Sequence, residues 1–412
     1  MSNLNFLHSG GNKVTLSAPD SNPASNITFK LPQADGSAGD LLQTDGSGGL
    51  SFVTTHSNPN LAINGAMNVA QRGTSTTSVS ASGYYACDRM RTYCYVGSER
   101  YTVSQETDAP TGSGFTKSFK IQTTTADTSA NAGTFLSFQY SIEGQDVQHL
   151  LKGTSSAKPI TLSFWVKGNT NYTPVEELRD NTNSRLNVQT FNVTSSWTKI
   201  VLTYVGDTTG TIDDDNTSGL SLNIWLKASA FYSGGTSPAQ NTWVVQSNHN
   251  IRAALLTFDI AASTSNYFQI TGLKIEVGDT ATSFEHRSFK DELARCQRYY
   301  CKSYNHDVAP GTNTMVGSKW GRNYSDASRS ANPVVVNFPV TMRDTPTVTF
   351  RGIHSGTAGK WTTGGSNPIT SNTDMDVSSL YDLGQNGWTS MNTDNVGAYN
   401  FFGGHFEAES EI

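Results

Sequence analysis

The residue types that could do chemistry here are carboxylates set side by side and aromatic rings set among amides and hydroxyls. Glu176-Glu177 and Asp213-Asp214-Asp215 are the two acidic clusters. Glycan cleavage takes two carboxylates facing each other across a glycosidic bond. Adjacent residues on a strand point to opposite faces, so neither cluster is by itself such a pair. The loop GTIDDDNTSG carries oxygens of the kind that hold calcium, but without the spacing of an EF-hand, and it reads as a solvated acidic turn. The chain has no GxSxG elbow, GxGxxG fingerprint, phosphate loop or HExxH, and its eight histidines are scattered. It is read as a non-enzyme, with no catalytic residue, metal or cofactor assigned.

The aromatic residues carry a different chemistry. Trp320, Tyr324, Trp361, Tyr381, Trp388 and Tyr399 lie among Gly, Asn, Ser and Thr toward the C-terminus. Sugars present apolar C–H faces and hydroxyl edges, so sites that bind them pair exposed rings with amide and hydroxyl side chains. Asn372, Asp374, Asn386 and Asn392 would supply those hydrogen bonds. Trp320, Tyr324, Trp361, Tyr381 and Trp388 are therefore the candidate glycan-binding set. Packing of a small domain or of an interface between copies is the competing reading for each ring. Trp165, Trp197, Trp225 and Trp243 fall in or near expected strands and are expected in the core.

The elements that must position these residues are almost all strands. Period-two alternation and turn residues mark strands at 118–123, 134–140, 159–167, 198–204, 220–226 and 266–277. Many strands at this spacing with little helix indicate an all-β fold, here an antiparallel sandwich of jelly-roll type. Upstream, Val14/Leu16 and Ile27/Phe29/Leu31 alternate with polar residues as short half-buried strands. Asp45-Gly46-Ser47-Gly48 reads as a hairpin turn. That first module has too few apolar residues for a core of its own. One amphipathic helix stands out, with Phe289, Leu293, Cys296 and Tyr300 spaced four, three, four as a coiled-coil seam. Ser288 followed by Asp291 reads as its capping box. The seam is the candidate oligomer interface. The segment 334–350 reads as two strands hinged at Arg343-Asp344, residues 357–400 as long exposed loops, and AYNFFGGHFEAESEI as a terminal strand alternating at Phe402/Phe406/Ala408.

At 412 residues the chain has room for two or three domains. Charged residues make up 15%, against about 25% in ordinary soluble domains, and Ser, Thr, Asn and Gly take their place. A net charge of −6 leaves no electrostatic footprint for nucleic acid. No apolar run approaches membrane-spanning length. MSNLNFLHSGGNK shows no basic segment leading into an apolar one, and the four cysteines, without CxxC or zinc spacing, are expected as thiols.

Several stretches resemble bacteriophage tail-fibre and minor tail proteins that carry a lectin-like, carbohydrate-binding-module-like β-sandwich. EVGDTATSFEHRS followed by FKDELARCQRYY resembles the link between that sandwich and a smaller distal domain. NLAINGAMNVAQRGTS with YYACDRM resembles the opening of the sandwich, departing at Ala70 and Met90, where the family often has tryptophan. GDLLQTDGSGGLSF resembles short repeats near fibre N-termini, ITLSFWVKG an inner strand of carbohydrate-binding sandwiches, and FPVTMRDTPTVTF a signature of the family's C-terminal domains. The resemblance implies an anchoring β module at 1–57, a carbohydrate-binding-like jelly roll at 58–287, a linking helix at 288–305 and a β tip domain at 306–412. It implies a virion protein assembled in the host cytoplasm, a reducing compartment that keeps thiols free, that attaches the particle to host-surface glycan as a homotrimer, held to another tail or head protein by its N-terminal module. A capsid or collar decoration protein without a receptor, or a glycan depolymerase, are the alternative readings.

Overall fold

The computed structural model describes residues 4–7, 10–16, 23–24, 26–36, 40–54, 59–129, 131–322, 332–365, 373–393 and 401–412. The chain divides into two compact units, Met1–Ser57 and Asn58–Ile412.

In the first unit Leu4–Leu7 pairs with Lys13–Leu16, and Asp40–Thr44 forms a hairpin with Leu50–Thr54. Asp45 closes the expected turn: its Oδ1 accepts the Ser47 and Gly49 amides at 2.7 and 2.9 Å. Gly48 has φ +91°, and a Cβ there would run into the Thr28 carbonyl, so this position requires glycine. The segment around Ile27, Phe29 and Leu31 is not the half-buried strand that alternation suggested. It bridges Gly49 through Lys30 alone, and those three side chains are 61, 61 and 77% exposed. With Leu41 and Leu42 also exposed, no second layer covers these apolar residues among the described residues of the unit.

The second unit begins with a two-sheet antiparallel sandwich. One sheet has seven strands in the order Val244–Val245, Arg185–Thr190, Val175–Asp180, Ser218–Ala228, Phe135–Glu143, Arg91–Tyr95, Ala81–Tyr84. The other has six, in the order Thr198–Tyr204, Ile160–Gly168, Tyr267–Val277, Ser118–Thr125, Arg100–Glu106, Ser75–Val79. Alternation sends Leu162, Phe164, Val166, Leu220, Leu222, Ile224, Phe138 and Tyr140 into the core between them. Residues 230–256 fold over part of the seven-stranded sheet's outer face and enclose a second cluster around Phe135 and Trp225.

The C-terminal region is a β-domain built around its last strand, Phe401–Glu409. That strand pairs with Tyr300–Lys302 and Lys319–Arg322, and also with Thr347–Gly352 and Lys360–Gly365. Phe402, Phe406 and Ala408 point into its core, as their alternation indicates. The span read as exposed loops at 357–400 contains the strands Lys360–Gly365, Thr373–Tyr381 and Gly387–Thr393. Their outward Thr, Ser and Asn side chains dilute the apolar signal, and the inward ones are Trp361, Met375, Trp388 and Met391.

The helix runs from Phe289 to Gln297, shorter than the 288–305 expected. Ser288 caps it: its Oγ accepts the Asp291 amide at 3.2 Å and donates to Asp291 Oδ2 at 2.7 Å. Tyr300 belongs to the strand that follows, where helical spacing no longer applies. Cys296 and Tyr300 are fully buried within the chain, Leu293 is half-buried, and Phe289 is 44% exposed. The four residues do not form one free face, because intrachain packing consumes two of them. All four cysteines are buried thiols.

Three of the stretches that carry the family resemblance, around Asn60–Arg89, Leu273–Tyr300 and Arg343, meet where the sandwich joins the C-terminal domain. Gly65 approaches the Leu273 carbonyl so closely that a Cβ would clash with it. Asn60 bonds Leu273 and Ile275, and Gln71 bonds both Asp88 and the Tyr300 carbonyl. Arg89 pairs with Glu411, and Arg72 lies 3.2 Å from Glu411 and stacks on the Tyr300 ring at 3.7 Å. Arg298 forms a two-point contact with Glu143 at 3.1 and 2.8 Å, and Tyr299 donates to the same carboxylate. Arg343, at the expected hinge, donates to the carbonyls of Ser410 and Asn216, both at 2.7 Å. Removing one partner of a buried ion pair strands the other, so Glu411→Gln should cost about 3–5 kcal/mol in thermal unfolding. The double variant Arg89→Met/Glu411→Leu should recover part of that loss.

Candidate functional site

The structure scatters the candidate aromatic set. Trp361 is fully buried, donates Nε1–H to the His405 carbonyl at 2.9 Å, and meets Phe350 edge-on at 5.7 Å. Trp388 is buried against Phe338 and Phe406. Both are core residues and offer no free ring face to a sugar, because a domain this small fills its interior with its largest side chains. Trp320 is half-buried, bonded to Ser318 Oγ at 2.9 Å and lying over Gly403. Tyr381 is exposed on one of the domain's strands. Tyr324, Asn372 and Tyr399 lie outside the described residues. Asn386 accepts from Thr341 and Asp374 from Thr362, so both serve the domain's own bonding.

A more coherent constellation lies on the outer face of the seven-stranded sheet. Register places side chains there in cross-strand rows. One row reads Arg91, Gln139, Asn223, Glu177. The next toward one end reads Ser141, Ser221, Arg179, and toward the other Tyr93, Ser137, Trp225, Val175. Tyr95 continues the aromatic side beside Phe135 and is 61% exposed. Within the first row Arg91 Nη1 donates to Gln139 Oε1 at 2.9 Å and Gln139 Nε2 to Asn223 Oδ1 at 2.8 Å. The Arg91 guanidinium also lies 4.8 Å from the Tyr93 ring centre. Arg179 donates to Asn181 Oδ1 at 3.1 Å and to Gln246. Rings, amides, hydroxyls and guanidinium groups thus share one face of four adjacent strands.

The acidic pair behaves as strand geometry requires. Glu177 faces outward and is neutralised by Arg252, whose Nε and Nη2 reach its two oxygens at 2.7 and 2.8 Å, while Trp225 Nε1 donates to it at 3.1 Å. Glu176 faces the opposite way, buried, with no hydrogen-bond partner on either oxygen. Burial, and then the Glu177 charge, push its carboxyl well above the usual range. The two cannot act together on one substrate. In the other acidic run, Asp215 Oδ1 accepts the amide and hydroxyl of Thr217, closing a turn. Among the described residues no group of three His, Cys, Asp or Glu is placed to hold a metal ion.

Ser303 and His405 form a serine–histidine contact at 2.9 Å that spacing in the sequence does not reveal. His405 Nε2 meets the Thr314 carbonyl at 2.9 Å, which leaves Nδ1 to accept from Ser303, and its ring stacks on Tyr304. The Ser303 hydroxyl also accepts the Phe406 amide at 3.0 Å, and His405 is fully buried, so the pair ties a loop to the central strand and is not a nucleophile. Trp225, assigned to the core from sequence, is buried but lies on the outer face and not between the sheets. The polar row was missed because Arg91, Gln139, Asn223 and Arg179 sit far apart in sequence. Only strand register brings them together.

No family model matches the chain, and no curated protein matches it in sequence. Solved structures give similarities over about half of it. A family 11 carbohydrate-binding module from Clostridium thermocellum, in complex with a beta-1,3-1,4-mixed-linked tetrasaccharide, aligns with 52% of this chain and 99% of that chain at 14% identity, TM-score 0.25. The CBM22-1 xylan-binding domain from Paenibacillus barcinonensis aligns with 54% and 97% at 13% identity, TM-score 0.24. The enzymatically active domain of bacteriophage CBA120 tailspike protein 4 aligns with 53% of this chain and 21% of that chain at 14% identity, TM-score 0.26.

Two outcomes follow for the C-terminal domain. Trp361→Ala should destabilise it by about 3–5 kcal/mol in denaturant unfolding, as for a core ring. Burial holds the His405 imidazole below its ordinary 6.5. The unfolded chain therefore takes up the proton first, so stability should be intact above pH 6.5 and fall as pH drops below it. His405→Gln should flatten that slope in melting curves recorded across the range.

Proposed function

We propose that this protein attaches a phage particle to its host by binding surface glycan on the outer face of the seven-stranded sheet. The row Arg91–Gln139–Asn223, hydrogen-bonded across three strands beside Tyr93 and exposed Tyr95, carries this reading. It combines a ring for the apolar face of a sugar with directional donors and acceptors for its hydroxyls. The buried floor residues brace the half-buried ones, so the face is set before a ligand arrives. Its role in a virion rests on the motifs shared with tail-fibre proteins.

The N-terminal unit serves as the anchor in this reading. Its exposed Ile27, Phe29, Leu31, Leu41 and Leu42 would be covered by other copies in a homotrimer or by another virion protein. Several weak glycan sites per particle suit reversible sampling of a cell surface. Tyr95→Ala and Gln139→Ala should each weaken binding of the purified chain to host polysaccharide about tenfold, by loss of stacking or of a hydrogen bond. Unchanged binding in both variants would remove the face from consideration. Mass measurement in solution should return a trimer for the full chain, and a monomer would remove the trimeric part.

A further inference from the structure

We infer that this face takes an anionic glycan, one whose carboxylate or phosphate groups are received by Arg91 and Arg179. The inference rests on the reading that the face binds glycan, and it specifies the chemical class. Seven arginines of the unit, Arg72, Arg89, Arg185, Arg252, Arg287, Arg298 and Arg351, each lie within ion-pair distance of a carboxylate. Arg91 and Arg179 do not. Their guanidinium groups donate to the neutral amide oxygens of Gln139, Asn181 and Gln246.

The acids nearest to Arg179 are committed elsewhere. Glu177 is held at both oxygens by Arg252, and Asp180 points to the other side of the strand, where it pairs with Lys152. Burial and the like charge of Arg252 make the Arg179 proton easier to lose than usual, as expected of a guanidinium short of counter-charge. With Glu177 and Arg252 cancelling, the rows Arg91–Gln139–Asn223–Glu177 and Ser141–Ser221–Arg179 carry two uncompensated positive charges on a chain whose net charge is −6. The two arginines stand three strands apart, about 14 Å at the usual strand spacing. Between them lies a buried, uncharged floor of Gln139, Asn223, Ser141 and Ser221. A guanidinium offers a planar fork of donors matched to carboxylate or phosphate oxygens. This arrangement fits a polymer whose acidic groups recur along its length.

The test uses the full chain and immobilised polysaccharides in matched pairs. Uronate-bearing polymers are set against their carboxyl-reduced forms, phosphodiester-linked polymers against their dephosphorylated forms, and neutral glucan is included. Binding to an acidic polymer that falls about tenfold on removal of its charge, and about tenfold in Arg91→Gln or Arg179→Gln, is the expected result. Lys199→Gln, on the other sheet, should change nothing. Equal binding to charged and neutralised polymers, or full binding by both arginine variants, would overturn the anionic preference while the glycan-binding reading stands. No binding to any polymer would overturn both. The paired polymers keep the test decisive even where an arginine variant folds poorly.

Discussion

The buried charge network between the sandwich and the C-terminal domain is the interaction on which the rest of this unit depends. Arg89 and Arg72 come from the start of the sandwich, Glu143 from its middle, Arg298 and Tyr299 from the end of the helix, and Glu411 from the chain's last residues. Charges removed from water are costly unless each has a partner in good geometry. Here the partners come from segments hundreds of residues apart, so the network is complete only when both domains are folded and docked. A packed apolar seam of similar size would tolerate sliding. This one fixes a single arrangement.

That docking also shapes the candidate site. At one end of the seven-stranded sheet the outer face is closed by the chain terminus, with Tyr84 donating to the Ile412 carbonyl at 2.5 Å and Arg89 to that of Ser141 at 2.8 Å. At the other end residues 230–256 cover Phe135 and Trp225. What remains between them is half-buried Arg91 and Arg179 over a buried floor of Gln139 and Asn223, with Tyr93 and Tyr95 at its side. Burial beneath and beside these residues lets neutral amides hold two guanidinium groups in place without supplying counter-charge. The domain expected to form the binding tip instead spends its tryptophans on its own core and on the strand that leads to Glu411.

Six of the sandwich's thirteen strands were legible because alternation is a local signal, whereas those carrying Arg91 and Arg179 were not. The expected strand at 198–204 and the observed Thr198–Tyr204 coincide, and the others differ at their ends by a few residues. The helix start was legible for the same reason, since Ser288 and Asp291 are neighbours in sequence. Its end was not: the apolar spacing continues to Tyr300, and nothing local shows that Tyr300 pairs with Glu409 as a strand. Ile27, Phe29 and Leu31 alternate as a half-buried strand should, yet all three side chains are exposed among the described residues.

By itself the sequence determined the all-β class, the capped helix, the reading of Glu176 and Glu177 as facing apart, and a family resemblance, three of whose motifs lie at the domain junction. Each rests on period, spacing or a short contiguous motif. Only the tertiary structure decided which rings are exposed and which polar residues share a face. Trp361 and Tyr95 look alike as aromatic residues in polar surroundings, and burial alone separates them. Arg91 and Arg179 become neighbours of one site through the register of strands that the chain visits out of order, which no local pattern encodes.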